Sequence, residues 1–201
     1  MPYMPERTPE GRRICLFGGT FDPIHMAHLR IAEEAARYFR LNQVLFVPAG
    51  MPPHKMQNGV APYEDRFRMV ELACRPYPEF RASRLEEKEG RSYTIDTVRS
   101  FRATLTPGDE LFFLIGADAF EEIESWNHWT ELIGLITFIV VTRPGGRYTV
   151  PFGATVLPLN GLEIPVSSSS IRSRLAAGEP TPELPVGVRA YIDAHSLYRV
   201  S

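Results

Sequence analysis

The sequence predicts an α/β fold built on a doubly wound parallel sheet. Apolar runs of strand length alternate with helical patterns along most of the 201 residues, and such alternation sets parallel strands side by side with helices on both faces. The chain has the size of one domain, able to bury roughly 70% of its extended surface, and it contains no internal repeat or low-complexity tract. The segments richest in polar chemistry each follow a strand, the end at which such a sheet binds ligands.

Residues 1–12 are polar, contain proline and lack the apolar stretch of a signal peptide, so they read as a flexible tail ahead of a domain over 13–201. The first strand is Ile14 to Phe17. Leu29, Ile31, Ala32, Ala35, Ala36 and Phe39 then recur at helical spacing. A strand at Val44 to Val47 precedes a helix from about Tyr63 to Arg75, and a short strand falls near Phe80 to Ala82. Glu86 to Arg91 is a charged run, read as a solvated loop. A helix from Ile95 to Leu105, a strand from Leu111 to Ile115, a further helix and a strand from Ile136 to Thr142 follow. Pro144 to Pro165, rich in Gly and Pro, reads as a long connection with a short strand near Thr155 to Leu157. The serines after Val166 can cap a new helix at Ile171, and Val186 to His195 forms a covering helix.

Hydrophobic residues make up 44% and charged residues 23%, with a net charge of −2. That balance gives no general attraction to nucleic acid or anionic lipid, so any anion site must be built locally. Cys15 and Cys74 form no spaced framework and read as buried free thiols, which points to a reducing compartment, the cytoplasm. The longest apolar stretch, Leu132 to Val141, is too short to span a bilayer.

Gly18-Gly19-Thr20-Phe21-Asp22-Pro23-Ile24-His25, followed by His28, carries the most chemistry. Two glycines and two histidines sit where a buried strand turns into a helix. Glycines let the backbone approach an anion, a helix N-terminus offers unpaired N–H groups, and imidazoles add donors. The spacing fits neither a Walker A loop nor a G-x-G-x-x-G fingerprint. A zinc site is a competing reading but would need to recruit Cys15, His54 or a distant acid, so no metal ligand is assigned. A purely structural Gly-Gly turn is the other.

These residues resemble the nucleotidyltransferase superfamily marked by [HT]-x-G-H after the first strand, and within it the bacterial nicotinate-nucleotide adenylyltransferases, with their G-G-T-F-D-P-[IV]-H-x-G-H. Ala27 stands where that pattern has Gly. The likeness extends over Pro52-Pro53-His54-Lys55, Ser92-Tyr93-Thr94, Ile115-Gly116-Ala117-Asp118, Ser125-Trp126, Arg143-Pro144-Gly145 and Val166-Ser167-Ser168-Ser169-Ser170-Ile171-Arg172. The last has Val and Ser where the family has Ile and Thr.

The resemblance implies a Rossmann-like fold and transfer of AMP from ATP to nicotinate mononucleotide, with Mg²⁺ on the phosphates. It places His25, His28, Lys55 and Arg172 in catalysis, His28 being the stronger contact to the transition state. Gly18, Gly19, Thr20, Phe21, Gly116, Asp118, Arg143, Ser168, Ser169 and Ile171 would bind ATP. Tyr93, Thr94, Trp126 and His54 would bind the mononucleotide, with Trp126 stacked on the pyridine and Trp129 in the core. Asp118 would bind the ribose unless it caps a helix, and Asp22 reads as a turn-stabilising residue. No nucleic acid or membrane partner is implied, and a homo-oligomer is compatible with the sequence. Two rivals remain: a phosphopantetheine adenylyltransferase, which carries Thr in place of His25 and lacks Ser125-Trp126, and a non-catalytic nucleotide sensor on the same fold.

Overall fold

The computed structural model describes residues 11–50, 60–87, 92–160 and 166–199. Its strands are β1 (Arg13–Gly19), β2 (Gln43–Pro48), β3 (Phe80–Ala82), β4 (Glu110–Gly116), β5 (Thr137–Val141) and β6 (Thr155–Leu159). They form one parallel sheet in the order β3-β2-β1-β4-β5-β6. In register, Cys15 lies between Val44 and Phe112. After β1 the chain adds strands first on one side and then on the other. The loops leaving β1 and β4 therefore part, and a crevice opens between their carboxyl ends.

The period-two alternation of β1 builds two cores. Cys15 and Phe17 face a cluster that includes Leu29, Phe46, Met69, Ile171 and Val188. This side is covered by α1 (Met26–Phe39), α2 (Tyr63–Cys74), α6 (Ser168–Ala176) and α7 (Val186–Ala194). Ile14 and Leu16 face a second cluster with Val98, Phe113, Phe120, Leu132 and Phe138. That side is covered by α3 (Thr94–Arg102), α4 (Ala117–Glu121) and α5 (Trp129–Leu135). Strands buried on both faces read as continuous apolar runs, which is why they are legible in the sequence.

Several boundaries differ from expectation. The helix starting at Thr94 stops at Arg102, where Thr104 turns its hydroxyl onto the Phe101 carbonyl at 2.7 Å. The helix expected after β4 is broken into α4, a 3₁₀ turn (Ile123–Ser125) and α5. Ser125 bonds the Glu122 carbonyl at 2.7 Å, and His128 adopts a left-handed φ of 50° ahead of α5. Ser167, not a later serine, caps α6 by accepting from the Ser170 N–H at 3.2 Å. Arg12, expected in the tail, is fastened to Asp109 by its backbone N–H at 2.8 Å and its guanidinium at 2.7 Å. Glu86 is half-buried and accepts from the Thr97 hydroxyl at 3.2 Å, so this end of the charged run is not a solvated loop. Burial raises its carboxyl pKa. Cys15 and Cys74 are buried free thiols. Among the described residues no helix is long and apolar enough to cross a membrane.

Candidate active site

The turn between β1 and α1 is held from every side. A Cβ on Gly19 would stand 2.9 Å from the Phe21 ring, so glycine there lets that ring fold beneath the strand end. Phe21 itself has a φ of 49° and packs against Phe17, Phe46 and His28. Its side chain supports the turn from within the core and does not face a ligand. Asp22, only 2% exposed, accepts from the Ala61 N–H at 3.0 Å and the Tyr198 hydroxyl at 2.6 Å through Oδ1. Arg172 donates to the Asp22 carbonyl at 2.6 Å and lies 3.4 Å from its Oδ2. The expectation that Asp22 stabilises the turn agrees with this geometry. Ser168 donates to the Pro23 carbonyl at 3.0 Å, and the Met26 N–H to Glu183 at 2.8 Å.

Arg66 completes the clamp. It is 2% exposed and donates to the carbonyls of Thr20, Gly50 and Ala61 at 2.9, 3.1 and 3.0 Å. A buried guanidinium is tolerated only when its donors are satisfied, and here they join the turns that follow β1 and β2.

The two histidines end up close together. Their ring centroids are 3.8 Å apart, and His28 Nδ1 accepts from the His25 backbone N–H at 3.2 Å. An acceptor at Nδ1 puts the proton of neutral His28 on Nε2, which makes Nε2 a donor. His25 is 3% exposed and its Nδ1 has no partner. Burial pushes the His25 pKa down to about 4, against a smaller opposing pull from Glu183. Burial, reinforced by His25, holds His28 well below its ordinary value. Both rings are neutral donors near pH 7.

His25 and His28 line a cavity of about 440 Å³ with Ala27, Gly116, Asp118, Arg143, Arg147 and Ser168. It occupies the crevice between β1 and β4. A Cβ on Gly116 would meet nothing within 4 Å, so the strand end opens directly into free space. Gly116 itself is the N-cap of α4, and Asp118 stands exposed in its first turn. The Asp118 carboxylate is therefore not consumed as a helix cap. Arg143 and Arg147 give the rim positive charge, and Ala27 contributes a methyl group to the wall.

Other expected site residues fall elsewhere. Ile171 is 0% exposed and belongs to the core. Ser169 is exposed and outside the cavity lining; its carbonyl accepts from Ser173. Tyr93, Thr94 and Trp126 lie on the α3–α5 side of the sheet, where Trp126 meets Phe113 edge-on at 6.3 Å. Trp126 and Trp129 are both half-buried against the second core, so the expected division into one cleft ring and one core ring is not seen. No side chain of the N-cap Tyr93 caps α3; the Asp96 N–H turns back onto the Tyr93 carbonyl at 3.0 Å, and the N–H groups of Thr94 and Ile95 open the helix. His54 and Lys55 lie outside the described residues.

Arg66, Arg147, Glu183 and Tyr198 belong to the site without belonging to any of its sequence motifs. Arg66 alone carried a signal, as a charge on the apolar stripe that continues through Met69, Val70 and Ala73. Among the described residues no three His, Cys, Asp or Glu side chains converge as metal ligands.

Residues 16–174 match the family model described as cytidylyltransferase-like. A relative from Solibacter usitatus named "Probable nicotinate-nucleotide adenylyltransferase" is 54% identical over 186 residues, covering 92% of this chain and 99% of the relative. One of the same name from Thermus thermophilus is 44% identical over 192 residues, covering 93% of this chain and 100% of the relative. Among solved structures, Plasmodium falciparum nicotinic acid mononucleotide adenylyltransferase complexed with NaAD superposes with a TM-score of 0.76 at 20% identity, covering 93% of this chain and 97% of that one. With a strand order that opens a crevice beside paired histidines, and relatives matching over nearly its whole length, the chain belongs to the nicotinate-nucleotide adenylyltransferases of the cytidylyltransferase-like family.

Proposed function

We propose that this protein transfers AMP from ATP to nicotinate mononucleotide, giving deamido-NAD and pyrophosphate. The observation that carries the reading is the pair of neutral histidines at the crevice, the half-buried His28 with Nε2 free to donate and the buried His25 with an unpartnered Nδ1. A phosphate oxygen of the mononucleotide attacks the α-phosphorus of ATP. The bond from that phosphorus to the bridging oxygen breaks, and pyrophosphate leaves with the electron pair. The attacking monoester has a second pKa of about 6 and is already largely dianionic at neutral pH, so no general base is required. The difficulty is to align two polyanions and stabilise the charge that develops between them.

His28 Nε2–H is the donor for that charge, and His25 assists from beside it. The guanidinium groups of Arg143 and Arg172 and the ammonium group of Lys55 supply positive charge to the phosphates of ATP, and His54 is assigned to the mononucleotide. Gly116 admits the nucleoside against the backbone, and Asp118 accepts from the ribose. Magnesium enters as part of the substrate MgATP, held by phosphate oxygens and water. The acceptor's carboxylate is read at the start of α3 near Tyr93 and Thr94, where open N–H groups and the helix dipole favour an anion. Trp126 provides the apolar ring for the pyridine. Two buried free thiols support a cytoplasmic location.

Pyrophosphate release from MgATP, with nicotinate mononucleotide, nicotinamide mononucleotide and phosphopantetheine offered separately, tests the reading. Release with the acid at a kcat/KM at least about 10² above the amide is expected, from the unsatisfied N–H and lost charge-assisted bond the amide would leave. Release with phosphopantetheine alone would reassign the acceptor, and release with none would make the protein a sensor.

A further inference from the structure

We propose that Tyr198, in the segment after α7, is a positioning residue that sets how Asp22 holds Arg172 and so how tightly the site takes ATP; this rests on the reading that the Arg172 guanidinium meets the phosphates of ATP with positive charge. The contact joins residues 176 positions apart, with the Tyr198 hydroxyl 2.6 Å from Asp22 Oδ1. Asp22 is 2% exposed, and a carboxylate buried that deeply must find donors. Both of its close donors, Tyr198 and the Ala61 N–H, sit on Oδ1. Oδ2 has no hydrogen bond and faces Arg172 at 3.4 Å, while the short bond from Arg172 goes to the Asp22 main-chain carbonyl. Asp22 is thus anchored through one oxygen and Arg172 is paired with it only loosely. Burial and the neighbouring carboxylate hold the Tyr198 phenol well above its ordinary pKa, so it remains a donor.

Without the phenol, Oδ1 keeps a single donor and Oδ2 still has none. The nearest group able to compensate is Arg172, whose side chain is 29% exposed. A guanidinium forks readily onto both oxygens of a carboxylate. That closer pairing draws Arg172 inward, away from the exposed side on which a triphosphate would meet it. Tyr198 therefore keeps Arg172 available, although it touches no substrate.

Calorimetric titration of MgATP without the second substrate, at a temperature where each protein is folded, tests this with four proteins: wild type, Tyr198→Phe, Arg172→Ala and the double variant. Tyr198→Phe keeps the ring in place and should weaken ATP binding about three- to tenfold, the ordinary net effect of one hydrogen bond, since the lost bond acts on ATP only through Arg172. Arg172→Ala should weaken it at least as much, and the double variant should bind like Arg172→Ala alone. In turnover, Tyr198→Phe should raise KM for ATP while leaving kcat and KM for the mononucleotide within about twofold, since the loss lies in ground-state binding. Wild-type ATP affinity in Tyr198→Phe, or effects that multiply in the double variant, would overturn the proposal. Unchanged affinity in Arg172→Ala would instead overturn the assignment of Arg172 and the proposal with it.

Discussion

Replacing His28 separates its chemistry from its packing. Its ring stands 3.8 Å from His25, 5.1 Å from Phe21 and 6.1 Å from Phe17 between centroids, and its Nδ1 occupies the His25 N–H. A residue at a helix start in a cleft would be expected to carry little packing, but this one supports the turn. His28→Ala should thus lose about 1–3 kcal/mol of stability from the orphaned N–H and the emptied space. At about 2–4 °C per kcal/mol for a chain of this size, that lowers Tm by roughly 2–12 °C. His28→Asn restores much of this, because its side-chain oxygen can accept from the His25 N–H as Nδ1 does. Neither variant places a donor where Nε2–H stands. Both should lose about 10² to 10³ in kcat, the cost of removing one preorganised donor to a charged transition state. Thermal melts and pyrophosphate release at saturating substrates measure the two effects separately. An Asn variant that turns over within about tenfold of wild type would refute the role given to Nε2.

The other predictions concern the clamp, the second histidine and the cavity wall. Arg66→Met strands the carbonyls of Thr20, Gly50 and Ala61, and at about 1–3 kcal/mol for the buried Ala61 carbonyl alone it should lower Tm by at least about 2 °C; an unchanged Tm would show that the clamp is dispensable. Because the folded pKa of His25 is about 4 against an ordinary 6.5, the unfolded chain binds the extra proton between those values. Its contribution to stability is complete above pH 6.5 and is lost as pH falls towards 4, by about 2 kcal/mol between pH 7 and pH 5. His25→Asn should flatten that part of the urea-unfolding profile, and an unchanged slope would place the dependence elsewhere. Gly116→Leu should raise KM for ATP about tenfold or more with Tm nearly unchanged, since a Cβ there meets nothing within 4 Å and projects into the cavity; unchanged KM would show that the nucleotide lies elsewhere.

What could be read from the sequence follows from how local each feature is. Strands such as Leu111 to Ile115 declare themselves because both faces are buried, while strand order depends on pairings between distant segments. The breaks at Ser125 and His128 leave no periodic signal in the sequence, because each is set by a single side-chain bond or dihedral. The Gly18 to His28 motif located the crevice, but a motif does not separate residues that face a ligand from those that hold the motif in place. Phe21 and Ile171 belong to the second kind. Arg66 was detectable as a charge on a buried stripe, whereas nothing local to Tyr198 indicates that it reaches Asp22.

The central claim is that the α-phosphorus of ATP is the atom attacked. ATP labelled at the α-phosphate, incubated with nicotinate mononucleotide and magnesium and followed by chromatography with mass detection, tests this directly. The account predicts that the label enters deamido-NAD while a γ-phosphate label leaves as pyrophosphate. Label from the γ-phosphate appearing on the mononucleotide, with ADP as the second product, would contradict it.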